Sequence, residues 1–216
     1  MSAPPDLDSI ATAARGRHLA ALGALHLAPD EVPGHASLVL LGPAGPGFWP
    51  HVTASPEFAD SAPDPLDRWS RRVIGALAHD LGARALFPFD GPPWHPFTGW
   101  ARRSGRAWPS PVGLLVHDTQ GLMLSYRGAL ALPHRIALPP TAPRPCDSCA
   151  DRPCRTACPV GALVPGGYDV PACKADLDRP GNDCMARGCA VRRACPVSDG
   201  AGRSAAQSAF HMGYFR

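Results

Sequence analysis

The sequence of 216 residues lacks a long apolar run, and its first residues lack the features of an export signal. No stretch approaches the roughly 18 consecutive apolar residues that a membrane-spanning helix needs. The opening residues, MSAPPDLDSI, contain neither the basic segment nor the apolar segment of a secretory signal. The sequence therefore predicts a cytoplasmic protein with no membrane span and no membrane partner.

Lysine is almost absent, and no basic stripe is present. The chain has 20 arginines, a single lysine (Lys174) and a net charge of only +3. Because nucleic-acid-binding domains usually show a clustered basic face, we expect no nucleic-acid partner. The nine histidines include no His-Glu-x-x-His pair, the helical motif of zinc hydrolases. We therefore expect no hydrolytic site, and the sequence assigns no catalytic residue.

Cysteine is absent from the first 145 residues, and all eight cysteines lie between Cys146 and Cys195. Disulfides that stabilise a fold would be expected to join distant parts of the chain. Thiols that are concentrated in one short segment more often hold an inorganic centre. The segment contains the runs CDSCADRPCRTACPVGAL, PACKADL and CMARGCAVRRACP.

The spacing of the cysteines favours iron–sulfur clusters. The first run, Cys-x2-Cys-x4-Cys-x3-Cys-Pro from Cys146, is close to a ferredoxin run whose fourth cysteine binds the other of two clusters. The second run, Cys184-x4-Cys189-x5-Cys195-Pro, repeats the Cys-Pro ending, and Cys173 precedes it. Eight thiolates suffice for two 4Fe–4S clusters. Structural zinc and disulfides or free thiols are the alternatives, although only one Cys-x2-Cys pair typical of zinc is present.

The cysteine segment resembles the double-cluster ferredoxin module of epoxyqueuosine reductases and reductive dehalogenases. Residues 158–163, Cys-Pro-Val-Gly-Ala-Leu, are similar to a Cys-Pro-Thr-Gly-Ala-Ile turn in those proteins, and Cys173 stands where they carry a lone ligand. The resemblance implies two 4Fe–4S clusters with crossed ligands. One cluster would bind Cys146, Cys149, Cys154 and Cys195. The other would bind Cys158, Cys173, Cys184 and Cys189.

The remainder of the chain predicts an α+β domain over residues 1–140, joined by a proline-rich segment to the cysteine module at 141–216. Apolar residues with a 3.6-residue period predict helices at 5–27 and 64–82. Short apolar runs bounded by glycine and proline predict strands at 37–42 and 83–89.

Two further apolar runs, at 112–117 and 122–129, flank Asp118-Thr-Gln-Gly121 and predict a hairpin. Strands, a helix and a hairpin in this order predict a sandwich with a largely antiparallel sheet. The C-terminal tail carries several large apolar side chains, so we expect it to pack back onto the protein.

Part of the predicted hairpin resembles the cobalamin-processing protein of the methylmalonic-aciduria C type. The residues are 113–122, Gly-Leu-Leu-Val-His-Asp-Thr-Gln-Gly-Leu, followed by 127–130, Arg-Gly-Ala-Leu. That family has a nitroreductase-like α+β fold that binds a corrinoid, and a related domain occurs fused to the cysteine module. The resemblance implies a corrinoid held against the hairpin, beneath aromatic Gly/Pro loops at 43–63 and 90–100.

These features predict an iron–sulfur redox protein that passes electrons from a donor protein or reductant to a corrinoid. Plain ferredoxin-type electron transfer and a zinc-containing interaction protein are the alternatives. Epoxyqueuosine reduction on transfer RNA is disfavoured by the short chain and the modest charge. Arg187, Arg192 and Arg193 lie among the last cysteines, where positive charge would raise a cluster's reduction potential or attract an acidic donor.

Overall fold

The computed structural model describes residues 4–216, which form two compact units. Residues 1–3, at the start of the predicted first domain, lie outside the described part. The first unit comprises residues 4–106 and 125–141, and the second comprises residues 107–124 and 142–216. Strands and helices are numbered along the whole chain.

The first unit contains α1 (Leu7–Arg15), β1 (Leu19–His26), β2 (Ser37–Pro43), α2 (Phe48–Thr53), α3 (Pro56–Ala59), α4 (Pro65–Asp80), β3 (Arg84–Leu86), α5 (Phe97–Arg103) and β6 (Gly128–Leu132). The second unit contains β4 (Ala107–Pro109), β5 (Leu115–His117), β7 (Leu163–Val164), β8 (Gly167–Tyr168), α6 (Val170–Leu177), α7 (Cys184–Arg187), α8 (Ala190–Ala194) and α9 (Ala205–Phe215). It also contains 3₁₀ turns at Pro145–Asp147, Pro153–Arg155 and Pro196–Ala201.

The first unit is built on a four-stranded antiparallel sheet in the order β1-β2-β6-β3. Its central strands, SLVLLGP and GALAL, are buried at every residue. Because successive side chains point to opposite faces, continuous burial means that both faces of these strands are covered. The predicted strand at 37–42 and the α+β class, with small antiparallel sheets, are confirmed. Within residues 4–216, no helix is both long and apolar enough to cross a membrane.

Helix α4 packs against this sheet through an apolar face. Pro65 opens the helix, and the side chains of Leu66, Trp69, Ile74 and Leu77 are buried. The helix contacts β3 and β6. Each buried side chain of this size stabilises the fold by about 1.5–3 kcal/mol.

Arg127 is a buried cation at the start of β6. Its guanidinium donates to Ser70 Oγ at 3.0 Å and pairs with Asp67, and both partners lie on α4. Burial lowers the pKa of Arg127, whereas the charge of Asp67 raises it. Removing Asp67 would leave a buried charge without a partner, which is costly. Arg127, part of the segment that resembles the cobalamin-processing family, therefore has a structural role within the first unit.

The predicted helix at 5–27 is wrong in its second half. Helix α1 ends at Arg15, and residues 19–26 form β1, which pairs with β2. His18 has a φ of +57°, which interrupts a right-handed helix. A short run such as LAALGALH fits either pattern, and pairing with a neighbouring strand decides its conformation.

The predicted hairpin at 112–129 does not form. Strand β5 pairs with β4, and β6 lies between β2 and β3. His117 and Gly121 exchange two backbone hydrogen bonds of 3.0 Å, which close a tight turn, and residues 122–127 then form no strand. The turn was predicted from local sequence, but the choice of strand partner depends on distant segments.

The Gly/Pro segment at 43–63, interpreted as a loop, contains the short helices α2 and α3. Phe48 is buried and packs edge-on against Trp69, with ring centroids 5.4 Å apart. Trp49 packs edge-on against Phe58 at 5.7 Å. These aromatic side chains therefore contribute to packing within the first unit.

The core of the second unit joins residues 107–124 to the cysteine-rich segment. Val112, Val116 and Leu122 are buried with Leu163 and Val191. The cysteines packed against this core are Cys146, Cys158, Cys189 and Cys195. A segment that the sequence placed in the first domain is thus part of the second unit.

Candidate metal centre

All eight cysteines are free thiols, and they form two sets within the second unit. We define thiol set A as Cys146, Cys149, Cys154 and Cys195. We define thiol set B as Cys158, Cys173, Cys184 and Cys189. The four thiols of set A line one cavity, and in set B thiolates at Cys158 and Cys189 would raise the pKa of Cys173. These are the two groups of ligands that the family resemblance implies, and both the grouping of the ligands and cluster binding stay predictions.

Set A surrounds a cavity of about 420 Å³. Two 3₁₀ turns, each opened by a proline, carry Cys146 and Cys154, and Cys195 follows α8 directly. Val116 and Leu122 supply an apolar part of the cavity wall. Four thiols line one cavity, and four is the number of thiolate donors that a 4Fe–4S cluster takes.

Set B is carried by three short helices and one turn. Cys173 lies on α6, whose N-cap residue is Asp169. Cys184 opens α7, and its backbone N–H donates to Asn182 Oδ1 at 2.8 Å. Cys189 precedes the first residue of α8. The N-cap of α6, where the Asp169 side chain accepts from the backbone N–H of Ala172, fixes the start of the helix that carries Cys173.

Two thiols of set B accept hydrogen bonds. The backbone N–H of Ala162 donates to Cys158 Sγ at 3.2 Å. The hydroxyl of Tyr168, on β8, donates to Cys173 Sγ at 3.2 Å. Such bonds favour the thiolate form of a sulfur, which is the form that binds metal.

Helix α8 connects the two sets. Its five residues are flanked by Cys189 of set B and Cys195 of set A. In the first run, Cys154 belongs to set A and Cys158 to set B. Both Cys-Pro cysteines, Cys158 and Cys195, therefore lie with thiols of the other run.

Burial raises the pKa of four of these thiols above the ordinary value. Burial is the largest cause for each, and other thiols of the same set raise the pKa further. The four are Cys146, Cys154, Cys173 and Cys184. Unbound thiolates at these positions would be both desolvated and mutually repelling. A bound cationic centre would offset this desolvation and repulsion, because thiolates are its ligands. The free energy of binding would then contribute to the folding of the unit.

The number of thiols in each set suits two kinds of inorganic centre. Each set supplies four thiols, and both a 4Fe–4S cluster and a tetrahedral zinc ion take four thiolates. Within residues 4–216, no three His, Cys, Asp or Glu side chains form a group spaced to hold a single metal ion. Iron and sulfide analysis decides between the two centres.

The sequence did not identify several residues that support the thiol sets. Tyr168 lies five residues before Cys173, and no spacing rule marks it. Ser198 is buried and its hydroxyl accepts a 3.0 Å hydrogen bond from the backbone of Leu122. The apolar stretch at 112–117 could have indicated this contact, but it was interpreted as part of a hairpin in the first domain.

His117 is a buried histidine with a structural role. Its Nδ1 accepts from the backbone N–H groups of Thr119 and Gln120, at 3.1 and 3.3 Å. Asp118 lies 2.9 Å from the same nitrogen. The ring therefore stabilises the turn after β5, as expected for a satisfied histidine.

The tail helix α9 packs against α7, as the sequence predicts for the C-terminus. Ser208 of α9 is buried beside Gly188, and Phe215 stacks on Tyr168 with ring centroids 6.0 Å apart. The tail therefore covers the helix that carries Cys184.

Comparisons with known proteins give one structural similarity. No family model matches the chain, and no curated protein matches it. The crystal structure of a selenomethionine-labelled epoxyqueuosine reductase superposes with a TM-score of 0.47 and 14% sequence identity. The match covers 90% of this chain and 66% of that protein, so the chain spans about two thirds of its length.

Proposed function

We propose that this chain is an iron–sulfur redox protein in which set A and set B each bind one 4Fe–4S cluster. The observation that carries the proposal is the division of all eight cysteines into two sets of four free thiols. When bound, such clusters accept and release single electrons. In this proposal the second unit is a two-cluster ferredoxin-like module, and the first is a nitroreductase-like sandwich.

The residues around the thiols have defined tasks in this proposal. The prolines that open the 3₁₀ turns hold Cys146 and Cys154 at the cavity of set A. The backbone of Ala162 and the hydroxyl of Tyr168 stabilise thiolates of set B. The apolar core beneath the thiols shields one side of each proposed centre from water, and a reducing cytoplasm would keep the thiols reduced.

Iron and acid-labile sulfide analysis tests the proposal. We expect protein purified without oxygen from iron-replete cells to be brown, with about eight iron and about eight sulfide per chain. Zinc analysis of the same sample is the control, since zinc binds four thiolates without sulfide and without colour. Stoichiometric zinc with no sulfide would overturn the proposal and leave a zinc-containing interaction protein.

The electron acceptor requires a separate experiment. The sequence resemblance at 113–122 and 127–130 implies a corrinoid, but the two segments belong to different units and form no hairpin. We propose a corrinoid as the acceptor on that resemblance alone. If it is correct, hydroxocobalamin should bind with a shift of its visible bands, and dithionite should then reduce the cobalt faster than in a cluster-free cysteine variant.

The corrinoid experiment also distinguishes the second candidate function. If no band shift occurs at high micromolar hydroxocobalamin while the iron and sulfide contents are as expected, the chain is a plain ferredoxin-type electron carrier. Its partners would then be a redox donor and a redox acceptor protein.

A further inference from the structure

Tyr168 makes a direct side-chain contact with thiol set B. Its hydroxyl donates to Cys173 Sγ at 3.2 Å. A tyrosine hydroxyl keeps its proton at neutral pH, so it can donate to a thiolate. Tyr168 is 41% exposed, so burial alone does not fix the orientation of its ring.

The backbone brings Tyr168 close to Cys173. Tyr168 pairs with Leu163 across β7 and β8, and Leu163 is buried in the core of the second unit. The next residue, Asp169, caps α6 by accepting from the backbone N–H of Ala172 at 2.9 Å. The donor and the acceptor thus lie on adjacent elements, and the side-chain torsions of Tyr168 decide whether its hydroxyl reaches the sulfur.

The end of α9 constrains the Tyr168 side chain. The ring of Phe215 stacks on the ring of Tyr168, with an angle of 13° between the two planes. Lys174 Nζ lies 5.5 Å from the centroid of Phe215 and donates to the backbone oxygen of Arg216 at 3.1 Å. The guanidinium of Arg216 pairs with Asp178 at 2.5 Å. Lys174 lies on α6 and Asp178 is its C-cap, so the end of α9 is attached to the helix that carries a set B thiol.

The start of α9 is fixed against α7. Ser204 caps α9 by accepting from the backbone N–H of Gln207 at 3.1 Å, and Gln207 and Ser208 are buried. A Cβ added at Gly188, the C-cap of α7, would lie only 2.7 Å from Ser208 Cβ, so the two helices approach closely there. Contacts at both ends of α9 therefore set the position of Phe215.

We infer that the end of α9 tunes the centre at set B: Phe215 is a positioning residue that holds the Tyr168 hydroxyl on Cys173 Sγ, and this hydrogen bond raises the reduction potential. This inference rests on the proposed function. Reduction adds one negative charge to a cluster, and a hydrogen bond to a ligand sulfur favours the more negative state. Phe215 acts through Tyr168, whereas Tyr168 contacts the ligand itself.

Redox titration of the cluster-loaded protein, followed by electron paramagnetic resonance, tests the inference. The step that Cys184→Ser removes is the step of set B. In Tyr168→Phe we expect this step to move to lower potential and the other step to stay. At the parent's midpoint, the ratio of reduced to oxidised centre should fall about threefold, which corresponds to about 28 mV for one electron. Asp176, on α6, and Asp183, which precedes Cys184, are present in the parent and the variant, so their charges do not cause the difference.

Phe215→Ala tests the positioning role. It should move the set B step down by no more than Tyr168→Phe, and the double variant should move it no further than Tyr168→Phe alone, because the hydrogen bond is already absent. A loss of packing alone predicts the opposite sign. Water favours the more charged, reduced state of a cluster with four thiolates, so opening the site without releasing a hydrogen bond would raise the potential.

A matched control comes from the same turn of α9. Tyr214 is 61% exposed, and its ring packs against Phe210 with centroids 5.1 Å apart. Tyr214→Ala removes a ring next to Phe215 in the chain and should leave the set B step in place. If Phe215→Ala does not load clusters, Phe215→Leu replaces it, since leucine removes the ring but keeps an apolar side chain.

Specific results would overturn the inference. It fails if Tyr168→Phe leaves the set B step unchanged, moves the other step instead, or removes the set B centre, because the hydroxyl would then not tune that centre. It also fails if Phe215→Ala leaves or raises the set B potential, or if Tyr214→Ala lowers it as far. A parent protein without iron would instead contradict the proposed function, because no titration step would exist.

Discussion

Replacing Cys158 with serine is expected to remove the same centre as replacing Cys184, although Cys158 belongs to the first cysteine run. In the proposed function both thiols belong to set B, and thiolates at Cys158 and Cys189 would raise the pKa of Cys173 in that set. Each variant should retain about four of about eight iron atoms, since a cluster that loses one of four ligands is left undercoordinated. The thermal stability of the second unit should also fall, because ligand binding contributes to its folding. Iron analysis and electron paramagnetic resonance of the remaining centre measure the result.

Double variants provide the matched comparison. Cys158→Ser combined with Cys184→Ser should lose no more iron than either change alone, because both thiols are in set B. Cys158→Ser combined with Cys149→Ser should lose nearly all iron, because the two thiols are in different sets. If this second pair still retains half of the iron, Cys149 and Cys158 serve one centre and the crossed arrangement is wrong.

Much of the candidate centre could be predicted from sequence because its residues are close together in the chain. All eight cysteines lie within about fifty positions, and their spacing and Cys-Pro endings indicate the type of centre before any fold is known. Spacing did not determine which thiols group together. That prediction came from a family resemblance, since the crossing of Cys158 and Cys195 depends on how the short helices pack.

The fold was predicted best where the sequence features that define an element lie within that element. Helix α4 has a proline start and a continuous apolar face, and the structure forms it over Pro65–Asp80. Strand β1 could not be recognised, because its alanines and leucines suit a helix equally well. The assignment of residues 107–124 to the second unit also depends on contacts with distant residues such as Leu163 and Val191, which no local pattern reports.

The ion pairs near the last cysteines also depend on contacts that the sequence does not show. The sequence places three arginines near the last cysteines but does not show which of them form ion pairs. The structure pairs Arg187 and Arg193 with Asp183 and leaves Arg192 on the carbonyl of Leu122. Leu122 is seventy residues away in the chain, so only the folded protein can show that Arg192 donates to this carbonyl rather than to a carboxylate.

Gly121→Ala should damage the centre at set A, although Gly121 is far from any cysteine in sequence. Gly121 has a φ of +54°, and a Cβ there would lie 2.7 Å from both Ser198 Oγ and the carbonyl carbon of Val197. Ser198 and Val197 belong to the 3₁₀ turn that directly follows Cys195. The substitution costs about 1–2 kcal/mol in backbone strain and about 1–3 kcal/mol in overpacking.

Displacement of this turn would move Cys195. The iron lost in Gly121→Ala should therefore come from set A. We expect iron content to decrease toward half, with loss of the set A signal and a lower melting temperature. Gly161→Ala is the control, because Gly161 has a similar φ of +62° but no atom within 4 Å of the added Cβ. It strains the backbone without displacing a neighbour, so the set A signal should survive. If both variants lose the set A signal equally, backbone strain alone is responsible. The contact between the turn at Gly121 and Ser198 would then not position Cys195.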